Sequence, residues 1–146
     1  MPAPFCLRDT ARAMSQADLD VLRRWAETWN RTDLDAFAAT FDDDAELITD
    51  PSWMEAGPFK GRAAIRAWFE GLKESWEERD AILLTELFEV DGQVIARVDW
   101  QVRGRVSGID TALDATSVNA IEQGRIVRQQ WFFDYASAIQ AARVSE

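Results

Sequence analysis

The chain contains no histidine, so the candidate acid–base groups considered first are its carboxylates. The missing histidine excludes Ser-His-Asp and Cys-His nucleophile systems, whose base is an imidazole, and Cys/His zinc clusters with them. The single cysteine, Cys6, cannot form an internal disulfide. Carboxylates are plentiful, with 26 Asp and Glu against 16 Lys and Arg and a net charge of −10. In Arg97-Val98-Asp99 the two charged residues are spaced i, i+2 on a strand-like stretch. They share one face there, so guanidinium and carboxylate can pair. Asp50 ends a short stretch, 45–50, that reads as a strand stopped by Pro51. Asp42-Asp43-Asp44 could in principle hold a hard cation, but no EF-hand spacing follows it, and it reads as a solvated connector. No Gly-rich phosphate loop, dinucleotide fingerprint or metal-ligand cluster occurs, so no cofactor and no metal are expected.

The acidic balance also limits partners. A field of this sign repels phosphate backbones and anionic lipid surfaces, so neither nucleic acid nor a membrane is an expected partner. No apolar run approaches the roughly 18 residues of a membrane span, and a secretion signal's basic start and apolar run are missing. A cytoplasmic protein is the expectation. The 146 residues suit one domain. Seven Trp and eight Phe stand against a single Tyr. That many indoles in one domain point to a large apolar cavity or an apolar subunit contact.

The elements that must position these residues follow from periodicity. Residues 1–14 carry two prolines and no clear period, and read as an N-terminal arm before a domain spanning 15–142. Ser15 to Asp18 resembles a capping box, and Leu22, Trp25, Ala26 and Trp29 then form one helical stripe. Thr32-Asp33 starts a short second helix with Leu34, Phe37, Ala38 and Phe41 on one side. Residues 51–61 form a loop carrying Trp53, and a third helix runs from after Gly61 to about Arg79. Strands follow over 81–90, 93–103, about 110–121 and 125–134, with tight turns at Asp91-Gly92 and Gln123-Gly124. A closing helical turn covers 137–142. Helices gathered before a long antiparallel run indicate an α+β fold with helices on one sheet face.

At this point the chain resembles the SnoaL-like proteins of the nuclear transport factor 2-like superfamily, relatives of ketosteroid isomerase and limonene epoxide hydrolase. The resemblance is carried by residues 29–37 (WNRTDLDAF), 41–45 (FDDDA) leading to Asp50-Pro51, 57–62 (GPFKGR), 124–128 (GRIVR) and Phe133-Asp134 before Ala138. It implies a cone-shaped, cystatin-like barrel, with a curved antiparallel sheet wrapped around three N-terminal helices. It also implies a hydrophobic pocket between the first helix and the inner sheet face, and a homodimer through the outer face. The superfold hosts isomerases, cyclases, hydrolases and non-enzymes, so the reaction has to be argued from residues.

Aligned with ketosteroid isomerases, the Tyr position falls on Trp25, the protonated-Asp position on Ser117, and the base position on Thr49 or Asp50. Two of the three chemical groups are therefore replaced. Aligned with epoxide hydrolases, Arg97 and Asp99 match an Arg-Asp pair that orients a water, while the second Asp falls on Trp131. The strand 93–103 offers two alternating rows, Val94, Ala96, Val98, Trp100, Val102 and Ile95, Arg97, Asp99, Gln101, Arg103, of which one faces the cone. Apolar burial favours the first row. The hydrolase-like match favours the second, and the second is adopted here, with Asp99 as base or water holder, Arg97 orienting it and Asp50 as alternative base. The resemblance lines the pocket with Trp25, Trp29, Thr49, Trp53, Phe69, Ser117, Asn119, Gln129, Trp131 and Phe133. The expected ligand is a small, mostly apolar molecule, either acted on by acid–base chemistry or simply carried.

Overall fold

A computed structural model describes residues 3–52, 57–75, 80–103 and 108–144. Trp53 and Trp76 fall outside these residues. The elements run α1 (Ala3–Asn30), α2 (Leu34–Ala38), β1 (Phe41–Ile48), β2 (Phe59–Lys60), α3 (Arg62–Ser75), β3 (Ala81–Val90), β4 (Gln93–Arg103), β5 (Asp110–Glu122), β6 (Arg125–Phe132) and α4 (Tyr135–Val144). The strands form one sheet in the order β2-β1-β6-β5-β4-β3. Pairing is antiparallel except between β1 and β6, which run parallel, so the sheet is mixed where an antiparallel one was expected. The fold is α+β and nuclear transport factor 2-like.

Three boundaries differ from the sequence reading. The helix expected to start at Ser15 begins at Ala3, because residues 5–30 contain no Pro or Gly and Pro4 sits in the first turn, where it is tolerated. The backbone read as an arm is therefore helical. The acidic run Asp42-Asp43-Asp44 is the first half of β1 rather than a connector. Its pairing with β6 shifts register between Phe41 and Glu46, and Asp43 pairs with Arg62 at 2.7 Å. Finally, the loop 51–61 contains β2, whose two residues pair with Glu46 and Leu47 of β1.

The segment 29–33 folds as it does because each residue closes a helix end or anchors it. Thr32 takes a left-handed φ of 57°, and the N–H groups of Thr32 and Asp33 donate to the carbonyls of Trp29 and Thr28. That double bond pattern ends α1. Asp33 then caps α2, its Oδ1 accepting from the Ala36 N–H at 3.1 Å, a contact worth about 1 kcal/mol in helices generally. Asn30 exchanges two hydrogen bonds with the backbone of Ile82, at 2.8 and 2.9 Å, fixing the end of α1 to the start of β3. The two hairpins match their sequence signal. Asp91-Gly92 and Gln123-Gly124 all have positive φ, the twist-compatible turn that Gly in second place favours.

Two cores flank the sheet. Val21, Leu22, Trp25, Ala26 and Trp29 of α1, Phe37 of α2, and Ile65 and Phe69 of α3 pack on the inner face, against Ala45, Leu47, Ile82, Val94, Ala96, Val98, Trp100, Ala115 and Trp131. On the outer face Ala138 and Ala142 of α4 pack on Ile95 and Val118.

Candidate functional site

The inner face is aromatic and mostly filled. Trp29 meets Phe37, Phe69 and Trp100 at centroid distances of 5.1, 5.7 and 5.3 Å, the last two edge-on. Trp25 lies 5.7 Å from Trp131 and 6.4 Å from Trp100. Trp25, Trp29 and Phe69 have no exposed surface. They are core, and interlocked rings of this kind stabilise by area and by edge-to-face contact.

The polar residues of the inner face satisfy one another. Asn119 donates to Ser117 Oγ at 2.9 Å and to the Val94 carbonyl at 3.2 Å. Gln129 donates to Asn119 Oδ1 at 2.8 Å, and Trp131 Nε1 donates to Gln129 Oε1 at 3.0 Å. Ser117, Asn119 and Gln129 are fully buried. A chain with each link closed avoids the penalty of buried unpaired groups and fixes the ring of Trp131. The β5 and β6 residues expected to face inward do so. Trp25 Nε1 is the exception to this satisfaction, buried with no hydrogen-bond partner.

A second buried polar cluster has no counterpart in the sequence reading. Asp80, just before β3, is fully buried and accepts from Trp29 Nε1 at 2.5 Å and Trp100 Nε1 at 3.3 Å. Its other oxygen pairs with Lys73 Nζ of α3 at 2.9 Å, and that ammonium lies 4.3 Å from the centroid of Trp29. No spacing marks Asp80 in the sequence, since it follows three charged residues, 77–79, and resembles them.

At the open end of the inner face lies a small cavity bounded by Thr49, Asp50, Trp68, Trp100, Leu113, Ala115, Trp131 and Phe133. It admits the centre of a water-sized sphere over about 20 Å³, space for roughly one water. Thr49 points inward with Ala45 and Leu47, and its hydroxyl accepts from the Gly57 N–H at 3.0 Å. Asp50 stands at the rim. Its Oδ1 accepts from the Ser52 N–H and hydroxyl at 2.8 and 2.6 Å, and its Oδ2 from the Phe133 N–H at 2.9 Å. Partial burial raises the Asp50 pKa, but the bonds from Ser52 and Phe133 outweigh it and hold the carboxyl below its ordinary range. An acid held ionised in this way is a weak base.

Arg97 and Asp99 do not reach this cavity. Val94, Ala96, Val98, Trp100 and Val102 are the inward row of β4, so the polar row, expected to line the cone, lies on the outer face. The physical reason is burial. Five apolar side chains, including an indole, cover the inner core, while Arg97 finds its partners outside. It donates to both oxygens of Asp114, at 3.1 and 2.9 Å, and to Glu86 at 3.1 Å, with Tyr135 stacked 4.4 Å away. These partners hold its proton more firmly, and Arg97 in turn lowers the Asp114 pKa. The expected Arg97–Asp99 pair is replaced by cross-strand pairs. Trp68, Trp100 and Leu113, absent from the expected lining, take part in the cavity wall. Choosing the apolar row of β4 would have found Trp100. Among the described residues no three Asp, Glu or Cys side chains converge as a metal site requires, and no helix is long and apolar enough to cross a membrane.

With this geometry in place, a family model described as a SnoaL-like domain matches residues 22–129. The chain belongs to the SnoaL-like family. Among curated proteins none matches significantly. Solved structures share the fold at low identity. A protein from a soil-derived mobile gene cassette superposes with a TM-score of 0.74 at 21% identity, covering 88% of this chain and 97% of that one. A ketosteroid isomerase-like protein from Catenulispora acidiphila, solved with trimethylamine, gives 0.69 at 15%, covering 84% and 91%. A proposed polyketide cyclase from Xanthomonas campestris gives 0.70 at 18%, covering 86% and 96%.

Proposed function

We propose that this SnoaL-like protein binds a small, mostly apolar molecule at the open end of its inner sheet face, between Trp68, Trp100, Trp131, Leu113 and Phe133. The observation that carries this is the cavity itself. It is walled by rings and aliphatic carbon, whereas the grooves around Arg62 and around Arg97 are open and lined by charged pairs. Apolar concavities with few polar groups are the usual form of small-molecule sites. Binding is favoured over chemistry because Asp50, the ionisable group in the described wall, accepts three hydrogen bonds and has its pKa lowered. A second reading, metal-free acid–base chemistry of cyclase or isomerase type, is supported by Asp50's place in that wall and by the proposed cyclase among the fold relatives.

Native mass spectrometry of the freshly purified protein tests the binding reading. A retained small molecule, lost on substituting Trp131 by Ala, is expected. A clean apo mass, together with no response to any apolar probe, contradicts it. A homodimer through the outer sheet face belongs to the same proposal. It is supported by Leu83, 59% exposed on that face at the β3 edge, and by half-exposed Ile48 and Phe132 on β1 and β6, with two or more strands between. Sedimentation at a single-subunit mass would refute it.

A further inference from the structure

Resting on the binding site just proposed, we infer that Phe133 is a lid over the cavity and Asp50 the latch that holds it shut. The free space inside admits the centre of a water-sized sphere over about 20 Å³, so as it stands the cavity is closed to anything larger than a water. A larger ligand enters only when part of the wall moves, and the wall residues differ in how firmly they are held. Trp100 is 4% exposed and donates to the buried Asp80 at 3.3 Å. Trp131 is 8% exposed and donates to Gln129 at 3.0 Å. Trp68 is half-buried and packs on Phe59 and Phe69 at centroid distances of 5.6 and 4.9 Å. Phe133 is 37% exposed, the most of any ring in the described wall, and lies just beyond the last residue of β6.

A side chain ties Phe133 to the neighbouring strand. The pairing of β1 with β6 runs as far as Ile48 and Gln130, and β1 ends there. Beyond that pair Asp50 takes over from the backbone. Its Oδ2 accepts from the Phe133 N–H at 2.9 Å, while its Oδ1, accepting from the Ser52 N–H and hydroxyl at 2.8 and 2.6 Å, fixes the carboxylate's orientation. Both Asp50 and Phe133 border the cavity, so the bond between them lies in its rim. It is an exposed bond, and such a bond exchanges for one to water at small net cost, as a latch requires. A ligand that needs the lid open has its apparent affinity reduced by the fraction of molecules in which the lid is open. Cutting the latch raises that fraction. Loss of the Asp50 carboxylate is therefore expected to tighten binding, the reverse of what losing a ligand contact does.

The test titrates toluene into the full chain and follows the indole ¹H–¹⁵N signals of Trp68, Trp100 and Trp131. Asp50→Ala is expected to bind toluene several-fold more tightly than the wild type, through faster entry with the exit rate little changed. In a Phe133→Ala background that gain is expected to vanish, because no lid is left to release. The wild type supplies a second measurement that needs no variant. Its Phe133 amide is expected to exchange with solvent faster at saturating toluene than without it, the opposite of ordinary protection by a ligand. Equal or weaker binding by Asp50→Ala, a gain that persists without the Phe133 ring, or a Phe133 amide whose exchange slows or stays constant overturns the latch and leaves the apolar site standing. No response of the three indoles to toluene, in the wild type or in Asp50→Ala, overturns both.

Discussion

Replacing Lys73 by Met tests the buried cluster behind the cavity wall. The substitution keeps most of the aliphatic stem against Trp29 and removes the ammonium 2.9 Å from Asp80. Lys73 is 9% exposed and Asp80 fully buried, so solvent does little to screen the carboxylate left behind. Breaking a buried pair by removing one partner costs about 3–5 kcal/mol in comparable cases. The two indole donors to Asp80 remain and argue for the lower end of that range. A loss near 3 kcal/mol is a large part of the roughly 5–15 kcal/mol that holds a domain together. It corresponds to a fall in Tm of about 10 °C for a chain of this length. The double variant Lys73→Met, Asp80→Asn removes both charges while retaining an oxygen for the indoles, and is expected to recover about half of the loss. Urea unfolding followed by tryptophan fluorescence and far-UV circular dichroism measures each corner of the cycle. A single-variant loss below about 1 kcal/mol, the level of an exposed pair, would refute the reasoning, as would a double variant no more stable than Lys73→Met.

Two further outcomes follow from the same contacts. Trp25→Phe and Trp29→Phe remove the same volume from fully buried sites. Trp25 loses an unpartnered N–H, whereas Trp29 loses the bond to Asp80. Trp29→Phe should therefore be the more destabilising by about 1–3 kcal/mol, and equal losses in chemical denaturation would contradict the assignment. Asp50 has a lowered pKa in the folded state, so its contribution to stability is complete above the ordinary carboxylate range, which lies near 3.8, and is lost as pH falls through its lower folded value. Asp50→Asn should lower stability at pH 7 and flatten the acid side of the stability–pH curve. An unchanged acid limb would show that the bonds from Ser52 and Phe133 do not hold in solution.

Much of the fold was legible because its signals are local. The i, i+3, i+4, i+7 stripe of Leu22, Trp25, Ala26 and Trp29, the Asp91-Gly92 turn and the alternation of β5 and β6 each declare themselves within a few residues. The start of α1 was not, since the breaker-free run from Phe5 to Ser15 outweighs a capping signal. The sequence leaves open whether Thr49 or Asp50 faces inward; in the structure β1 alternates from Ala45 and Leu47 to put Thr49 inside and Asp50 at the rim. The orientation of β4 was missed for an identifiable reason. Both of its rows become covered or paired, so the choice rests on which row meets the indoles of α1, a long-range fact. Resemblance to an Arg-Asp motif was given more weight than five apolar residues. Asp80 was illegible because its significance lies in the indoles of Trp29 and Trp100, far away in sequence. Two of the segments that carry the family likeness turn out to be scaffold. Trp29 to Asp33 close and anchor α1, and Arg62 donates to the Phe41 carbonyl at 2.7 and 3.0 Å to hold the entry of β1. They identify the fold.

The most direct measurement is a ¹H–¹⁵N map of the protein titrated with a small apolar probe, with the guanidinium Nε–H of Arg97 as the internal reference for the opposite sheet face. Shifts confined to the indoles of Trp68, Trp100 and Trp131 and to the amides of Thr49, Asp50, Leu113, Ala115 and Phe133 are predicted, with Arg97 unmoved. Shifts that centre instead on Arg97, Asp99 and Asp114 would place the functional surface on the outer face and contradict the assignment of the site.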